Sequence, residues 1–413
     1  MDSSEERLPA PFWWFWTGQL VGQLGDSVYH IGLVWLVVET TGSRLISGFV
    51  LSSSYLPVVL FALAAGVIVD RYDRRRIMIL CAVLQALLVG MVASGVFSGK
   101  LGVVSLLVAA FAVATGVAFF NPARDAIIPL LVPGRKINRA NSLVQISAQV
   151  AFLAGPALAG MFVDAAGLGW LFLFDALTFL FTAAAIWAIR LPARSCVHYP
   201  RQVVMPPELP TPSGSGFSDL KLGLRFAFSD PRIRSLLVIT AIDNFIIMGP
   251  AILGVPVWVH DVLGGDASDY AYLTAFLFAG MIACSTVLGV WGKNLPKGKA
   301  IVVGMILDAV TFLPLYFIDR FWSTALFMFI HGLSVPLITI SRATLVHRLV
   351  ADEWRGRIFS LLNLAVVGFT ALSLMAVGPV LQVVGARMLY LLVAIAGGLV
   401  GLLAMNARSL VKA

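Results

Sequence analysis

Residues 66–76 read Gly66-Val-Ile-Val-Asp70-Arg71-Tyr-Asp73-Arg74-Arg75-Arg76. A glycine, an aspartate four residues on and a basic cluster stand between two apolar runs, 45–69 and 77–97. A loop of this kind reads as a turn at a membrane surface. The glycine lets two helices approach closely, and the aspartate is placed to accept hydrogen bonds at a helix N-terminus or from an arginine. The arginines hold the loop on one side of a bilayer.

The rest of the chain has the same character. It has 413 residues, 59% of them hydrophobic and 12% charged, about half the charged fraction typical of a soluble domain. Mean hydropathy is +0.93. Twelve segments are long enough to cross a bilayer, near 12–39, 45–69, 77–97, 101–121, 141–163, 168–189, 235–259, 270–292, 300–318, 321–341, 358–384 and 388–407. Helices satisfy their own backbone in lipid, whereas strands of a membrane barrel would be shorter and would alternate, so the fold class is an all-α polytopic membrane protein. The start, MDSSEERLPAP, lacks a basic n-region, and the first apolar run reads as a span rather than a signal peptide. Cys81, Cys196 and Cys284 are too few and too scattered for a disulfide framework or a zinc site.

The net charge of +8 reports topology. With the N-terminus in the cytoplasm, 25 Lys and Arg residues fall in inside loops and four (Arg44, Lys100, Arg320, Arg387) outside. This is the positive-inside pattern, and it implies contact with anionic lipid headgroups rather than with nucleic acid. The expected location is a bacterial inner (cytoplasmic) membrane, with both termini cytoplasmic.

One long connection divides the chain into bundles at 1–190 and 235–413. This linker, 191–234, begins rich in Pro, Ser and Gly and ends in an amphipathic stretch with Phe217, Leu220, Leu224 and Phe228 on one face, suited to a helix lying on the cytoplasmic surface. The halves look like repeats. A shift of 218 superposes Arg124, Leu131, Val132, Arg139, Ser142 and Leu143 on Arg342, Leu349, Val350, Arg357, Ser360 and Leu361. After a small gap, Gly155-Pro156 corresponds to Gly378-Pro379.

The 66–76 loop, lying between spans two and three, resembles the signature of the major facilitator superfamily. GQLVGQLGDSVYHIGLVWLVVETTGS (18–43), NPARDAIIPLLVPGRKINRANSL (121–143) and RGRIFSLLNLA (355–365) are similar to the third drug:proton antiporter family, which includes macrolide efflux and enterobactin-exporter-like proteins. The resemblance implies a major facilitator fold of 12 transmembrane helices in two six-helix pseudo-symmetric halves. It also implies a non-enzymatic transporter in which spans 1, 4, 7 and 10 line a central cavity and spans 3, 6, 9 and 12 are peripheral. Three features depart from the pattern. The span-five antiporter motif is reduced to Gly155-Pro156-Ala-Leu-Ala-Gly160. Ala112 stands where many drug antiporters carry an arginine four residues before a glycine, here Gly116. Lys293 replaces the aspartate of the signature in the loop after span eight.

Six ionisable residues fall within the apolar runs: Asp26, His30, Asp175, Asp243, Asp308 and His331. An aspartate at the bilayer centre costs about 2.5–3.5 kcal/mol on the insertion scale, so each asks for a function or a partner. Gln19, Gln23, Asp26 and His30 form one helical stripe, with Gly18, Gly22 and Gly25 as a small-residue seam beside it. Asp26 lies about 21 Å from the inner end of span one, just beyond mid-membrane. With His30 it can load and release a proton as access alternates. By the family map, Asp26, His30 and Asp243 are proton-coupling candidates. Gln19, Gln23, Tyr29, Asn244, Phe245, Trp258 and His331, with Trp35, are cavity candidates, and Asp175 and Asp308 are scaffold. Gly155 and Pro156 join the packing glycines.

With no Lys or Arg inside the spans, a lipophilic neutral or cationic substrate fits the cavity better than an anion. Arg71, Arg74, Arg75, Arg124, Arg139, Arg342, Arg355 and Arg357, with Asp70 and Asp352-Glu353, read as ion pairs of a cytoplasmic gate around Gly66. The expected function is export of a drug-like molecule by proton antiport. The alternatives are a lysophospholipid, siderophore or metabolite transporter, which need not be coupled, and, remotely, a receptor or membrane enzyme. The proton is the coupling ion, no other cofactor or metal is expected, and membrane lipid is the surrounding partner of a monomer.

Overall fold

A computed structural model describes residues 8–189, 216–292 and 295–406, and no strand occurs among them. Among the described residues, eleven helices are long and apolar enough to cross a membrane; the last turns at Gly385 (φ 75°), so the described chain makes twelve crossings. The first six crossings comprise α1 (Ala10–Thr41), α2 (Arg44–Ser53) continued by α3 (Leu56–Arg71), α4 (Arg74–Ser98), α5 (Val103–Leu131), α6 (Ile137–Ala166) and α7 (Leu168–Ala188). After α8 (Gly216–Ser229) come α9 (Pro231–Gly249), α10 (Val255–Trp258), α11 (Ala267–Trp291), α12 (Lys297–Val310), α13 (Phe321–Leu349) and α14 (Asp352–Met405).

Two expected spans are broken, each next to a proline that lacks an N–H. The second divides at Ser54–Tyr55, ahead of Pro57. The seventh changes to π-helical turns at Pro250–Gly254 and Val259–Leu263, on either side of α10. Below the first π turn, the Ser373 hydroxyl donates to the Phe245 carbonyl and accepts from the Gly249 N–H (2.7 Å), taking the place of an i→i+4 bond.

The duplication extends to the helices themselves: α5 and α13 have 29 residues each, and their bounds differ by 218 at both ends. Gly18, Gly22 and Gly25 face α7, where a Cβ on Gly18 would stand 2.9 Å from the Ala185 methyl. Thr182 donates across this seam to the Gly18 carbonyl at 2.9 Å.

Buried apolar side chains form one cluster shared by both halves around Trp35, Leu51, Trp258, Tyr270 and Leu374, toward the end that carries Arg44. Toward the end that carries the basic loops they form two separate clusters, one within each half. The halves are therefore fused at one end. Helix α8 places Phe226 flat on Trp354 (4.4 Å, 8°), while Leu224 and Phe228 face outward. The side chains of Phe217 and Leu220, most of the 191–234 linker, Cys196 and Lys293 lie outside the described residues.

Candidate functional site

A cavity of about 630 Å³ lies between the halves. α1 contributes Gln23, Asp26, Ser27 and His30; α6 contributes Phe152 and Pro156; α9 contributes Asp243 and Asn244. α11, α12 and α13 complete it with apolar side chains and with Asp308, His331 and Arg342. α5, the fourth span, does not line this cavity. It lines a second space of about 40 Å³ within the first half, walled by Gln19, Gly22, Gln23, Asp26, Gln85, Asn121, Arg124 and Thr182. Asp26 belongs to both spaces, and its side chain is exposed to them.

The repeat carries charge as well as shape. Asp26 on α1 interacts electrostatically with Arg124 on α5. Asp243 on α9 interacts with Arg342 on α13, and also with Asp308. Arg124 and Arg342 are the residues superposed by the 218 shift. Arg124 is in addition paired with its neighbour Asp125 at 2.9 Å. Asp243 is 8% exposed and makes no hydrogen bond among the described residues. Asn244 is turned to the Thr240 carbonyl at 2.8 Å.

On the second half's wall, His331 Nδ1 meets the Thr311 hydroxyl at 2.8 Å and Asp308 Oδ1 at 3.5 Å. Ser334 bridges Asp308 and the His331 carbonyl. Asp308 borders the cavity while buried and bonded to Ser334, because α12 turns it toward α13. Asp175 stays at the α1–α7 seam, receiving Thr178 at 3.1 Å.

Five cavity candidates lie elsewhere. Tyr29 packs edge-on against Phe172 (5.8 Å) in the core. Phe245 is 41% exposed on the outer surface. Trp258 is fully buried, and its indole donates to the Leu315 carbonyl at 3.3 Å. Gln19 faces the small space rather than the cavity. Trp35 stacks on Tyr270 in the shared core. The expectation of no basic residue in the cavity is also corrected, since Arg342 stands in its wall.

A family model described as transmembrane secretion effector matches residues 9–412. The chain belongs to that family. Macrolide efflux protein A of Streptococcus pyogenes is 23% identical over 355 residues, covering 85% of this chain and 84% of that protein. The multidrug efflux pump Tap of Mycolicibacterium fortuitum is 22% identical over 397 residues, 93% and 92% of the two chains. The crystal structure of the nucleoside transporter NupG superposes with a TM-score of 0.73 at 11% identity, covering 97% of this chain and 99% of that one. A bacterial homologue of the human lysosomal transporter Spinster, in an inward-facing and occupied conformation, gives 0.72 at 14%, covering 97% and 96%. These similarities place the secretion effector fold among major facilitator transporters, and the protein is a transporter rather than an enzyme.

In this state the signature loop of this secretion effector holds helix ends and makes no ion pair between the halves among the described residues. A Cβ on Gly66 would meet nothing within 4 Å, so this glycine serves no close packing here. Asp70 is exposed and makes no ion pair among the described residues. Asp73 takes the capping role, accepting from the Arg76 N–H at 3.0 Å at the start of α4. Arg75 donates to the Ile186 and Trp187 carbonyls at the end of α7, and Arg355 to the His347 and Val350 carbonyls at the end of α13. Arg357 lies over the Trp354 ring at 4.8 Å. Arg75 and Arg355 thus hold helix ends. Arg71, Arg74 and Arg139 sit at the same end of the molecule. The side chains of Asp352 and Glu353 lie outside the described ones.

The opposite end is latched. Arg44 pairs with Asp261, which also takes His260 Nδ1 at 2.7 Å, and the Arg44 N–H donates to Gln382 at 3.0 Å. Tyr272 donates to Asp164 at 2.6 Å, again joining the halves. An ion pair this open to solvent is worth at most about 1 kcal/mol. Arg44→Gln is accordingly expected to raise the population open at this end by no more than about fivefold. Thiol-reagent accessibility of a cavity cysteine measures that population, and an effect beyond tenfold would show the latch to be a main determinant of the equilibrium.

Proposed function

We propose that this protein is a proton-coupled exporter of lipophilic neutral or cationic small molecules, working by alternating access in a bacterial inner membrane with both termini in the cytoplasm. The observation that carries this reading is Asp26, a carboxylate deep in the bundle that is open to a large, mostly apolar cavity and within electrostatic reach of Arg124. A carboxylate there binds a proton in one access state and gives it up in the other. Arg124 favours the charged form when the proton has left. Asp243 with Arg342 and Asp308 offers the same chemistry in the second half. The efflux functions named for the relatives support export. The latch at the Arg44 end and the separate cores at the basic end correspond to an inward-facing state, in which substrate enters from the cytoplasm or inner leaflet.

A second reading is kept by one observation. Arg342, in the wall of a mostly apolar cavity, suits an amphiphile with an anionic headgroup such as a lysophospholipid.

The test is proton movement in proteoliposomes containing a pH-sensitive dye, on adding tetraphenylphosphonium, a neutral macrolide or a lysophospholipid. Proton flux triggered by the cation or the macrolide is the expected result. No flux from any compound, with lysophospholipid taken up in the absence of a proton gradient, replaces the first reading with the second.

A further inference from the structure

The small space beside Asp26 shares Gln23 and Asp26 with the cavity but is too small for a drug-sized molecule, and its construction is specific. We propose that it is a water-filled proton path, separate from the substrate cavity, which connects Asp26 with the basic end of the first half. This inference rests on the reading of Asp26 as the proton carrier.

Size separates the two spaces: about 40 Å³ against about 630 Å³. The smaller admits a few waters and no drug-sized molecule. Its lining mixes Gln19, Gln23, Gln85, Asn121 and Thr182 with Val117, Phe120 and Phe179. Gln19 is 3% exposed and makes no hydrogen bond to protein among the described residues, although its carboxamide borders the space. The Gln23 Oε1 atom is likewise buried without a protein partner. A buried carboxamide left with free donors and acceptors is satisfied by ordered water in a space of this kind.

The lining does not suit a metal ion, since Asp26 is its one acid and Arg124 stands in the same wall. Asp26 and Arg124 cancel, and no group of three His, Cys, Asp or Glu suited to a metal occurs among the described residues. The position suits a path. At about 1.5 Å per residue, Asp26 stands about 24 Å from the start of α1 and Gln19 about 14 Å. Arg124 stands about 10 Å from the end of α5, and Thr182 about 9 Å from the end of α7. The space thus runs from mid-span toward the end that carries the basic loops.

The step is simple. The Asp26 O–H bond breaks, and the proton joins a water of the chamber. That water passes one of its own protons to the next, so charge emerges at the basic end while no water molecule travels. Because substrate cannot enter the chamber, a filled cavity does not block the proton's exit.

The test uses Gln19→Leu, which replaces the carboxamide by an apolar group of similar volume, with Gln85→Met as a second variant should the first fold poorly. In proteoliposomes, pH-driven tetraphenylphosphonium transport is expected to slow at least tenfold. Tetraphenylphosphonium counterflow, which exchanges substrate for substrate without net proton movement, is expected to stay within twofold of wild type. Gln19→Asn, which keeps an amide and leaves room for a further water, is expected to restore most of the rate. If pH-driven transport stays within twofold, or if counterflow falls in parallel with it, the chamber is structural and the proposal is overturned. If the wild type itself moves no protons with substrate, the antiport reading fails first and the proton path falls with it.

Discussion

Asp26→Asn is expected to lower pH-driven transport at least a hundredfold while leaving a folded protein that still exchanges substrate for substrate. Asparagine has the shape of the protonated aspartate and cannot titrate, so the variant stays in the loaded form. Folding is expected to survive for two reasons. Asp26 donates and accepts no hydrogen bond within the described protein, so none is lost, and its side chain meets open space on two sides. Removing a charge from a span also lowers an insertion cost of about 2.5–3.5 kcal/mol. The measurement is uptake and counterflow of tetraphenylphosphonium in proteoliposomes of known protein content. Full pH-driven accumulation by the variant would remove Asp26 from the mechanism and pass the role to Asp243, whose carboxylate faces the cavity with Arg342 and Asp308 nearby.

Much of the architecture was legible in the order of residues because hydropathy along a membrane chain is close to a one-dimensional problem. The twelve crossings, the small-residue seam of α1 and the 218-residue repeat could all be read, since lipid forbids unpaired backbone and duplication preserves spacing. The destinations of Arg124 and Arg342 could not. Counting apolar residues ended the fourth and tenth spans at 121 and 341, which put both arginines in loops. A charged side chain ends an apolar count without ending a helix, and α5 and α13 continue to Leu131 and Leu349. Seven further residues carry each arginine about 10 Å inside its helix end. One spacing error thus placed two intrahelical arginines in loops and produced a cavity described as free of basic groups.

The misplaced aromatics have another cause. A helix that is apolar all round has no face that periodicity can select, so residue type stood in for direction at Tyr29 and Phe245. Trp258 was beyond reach for a further reason. The π-helical turn at Pro250–Gly254 alters the residues per turn just before it, and the side chain that would point at the cavity is rotated away. Gly66 and Asp70 show the limit of motif reading. Their spacing identifies the loop, while the capping itself is done by Asp73.

Gly48→Leu is expected to lower transport at least fivefold by a different route, holding the latched end open. Gly48 on α2 touches the Leu374 carbonyl, and its Cβ would lie 3.2 Å from the Gly378 Cα on α14. From the other side, a Cβ on Gly378 would stand 2.8 Å from the Arg44 carbonyl and 3.1 Å from the Leu45 Cα. Backbone meets backbone here, so no side chain can turn aside. Overpacking of this kind costs about 1–3 kcal/mol, or about fivefold to over a hundredfold in population. The cost is charged only to the conformation in which this end is closed, because α2 and α14 belong to different halves. Packing within each half is untouched, and the melting temperature is expected to move by only a few degrees. A Tyr270→Cys reporter in a background lacking the native cysteines reads the result. Its reaction with a membrane-impermeant thiol reagent, added on the side of the Arg44 end, is expected to rise at least fivefold with Gly48→Leu. Unchanged reactivity in a folded, inactive variant would show that α2 and α14 never separate there, and that alternating access must use another contact between the halves.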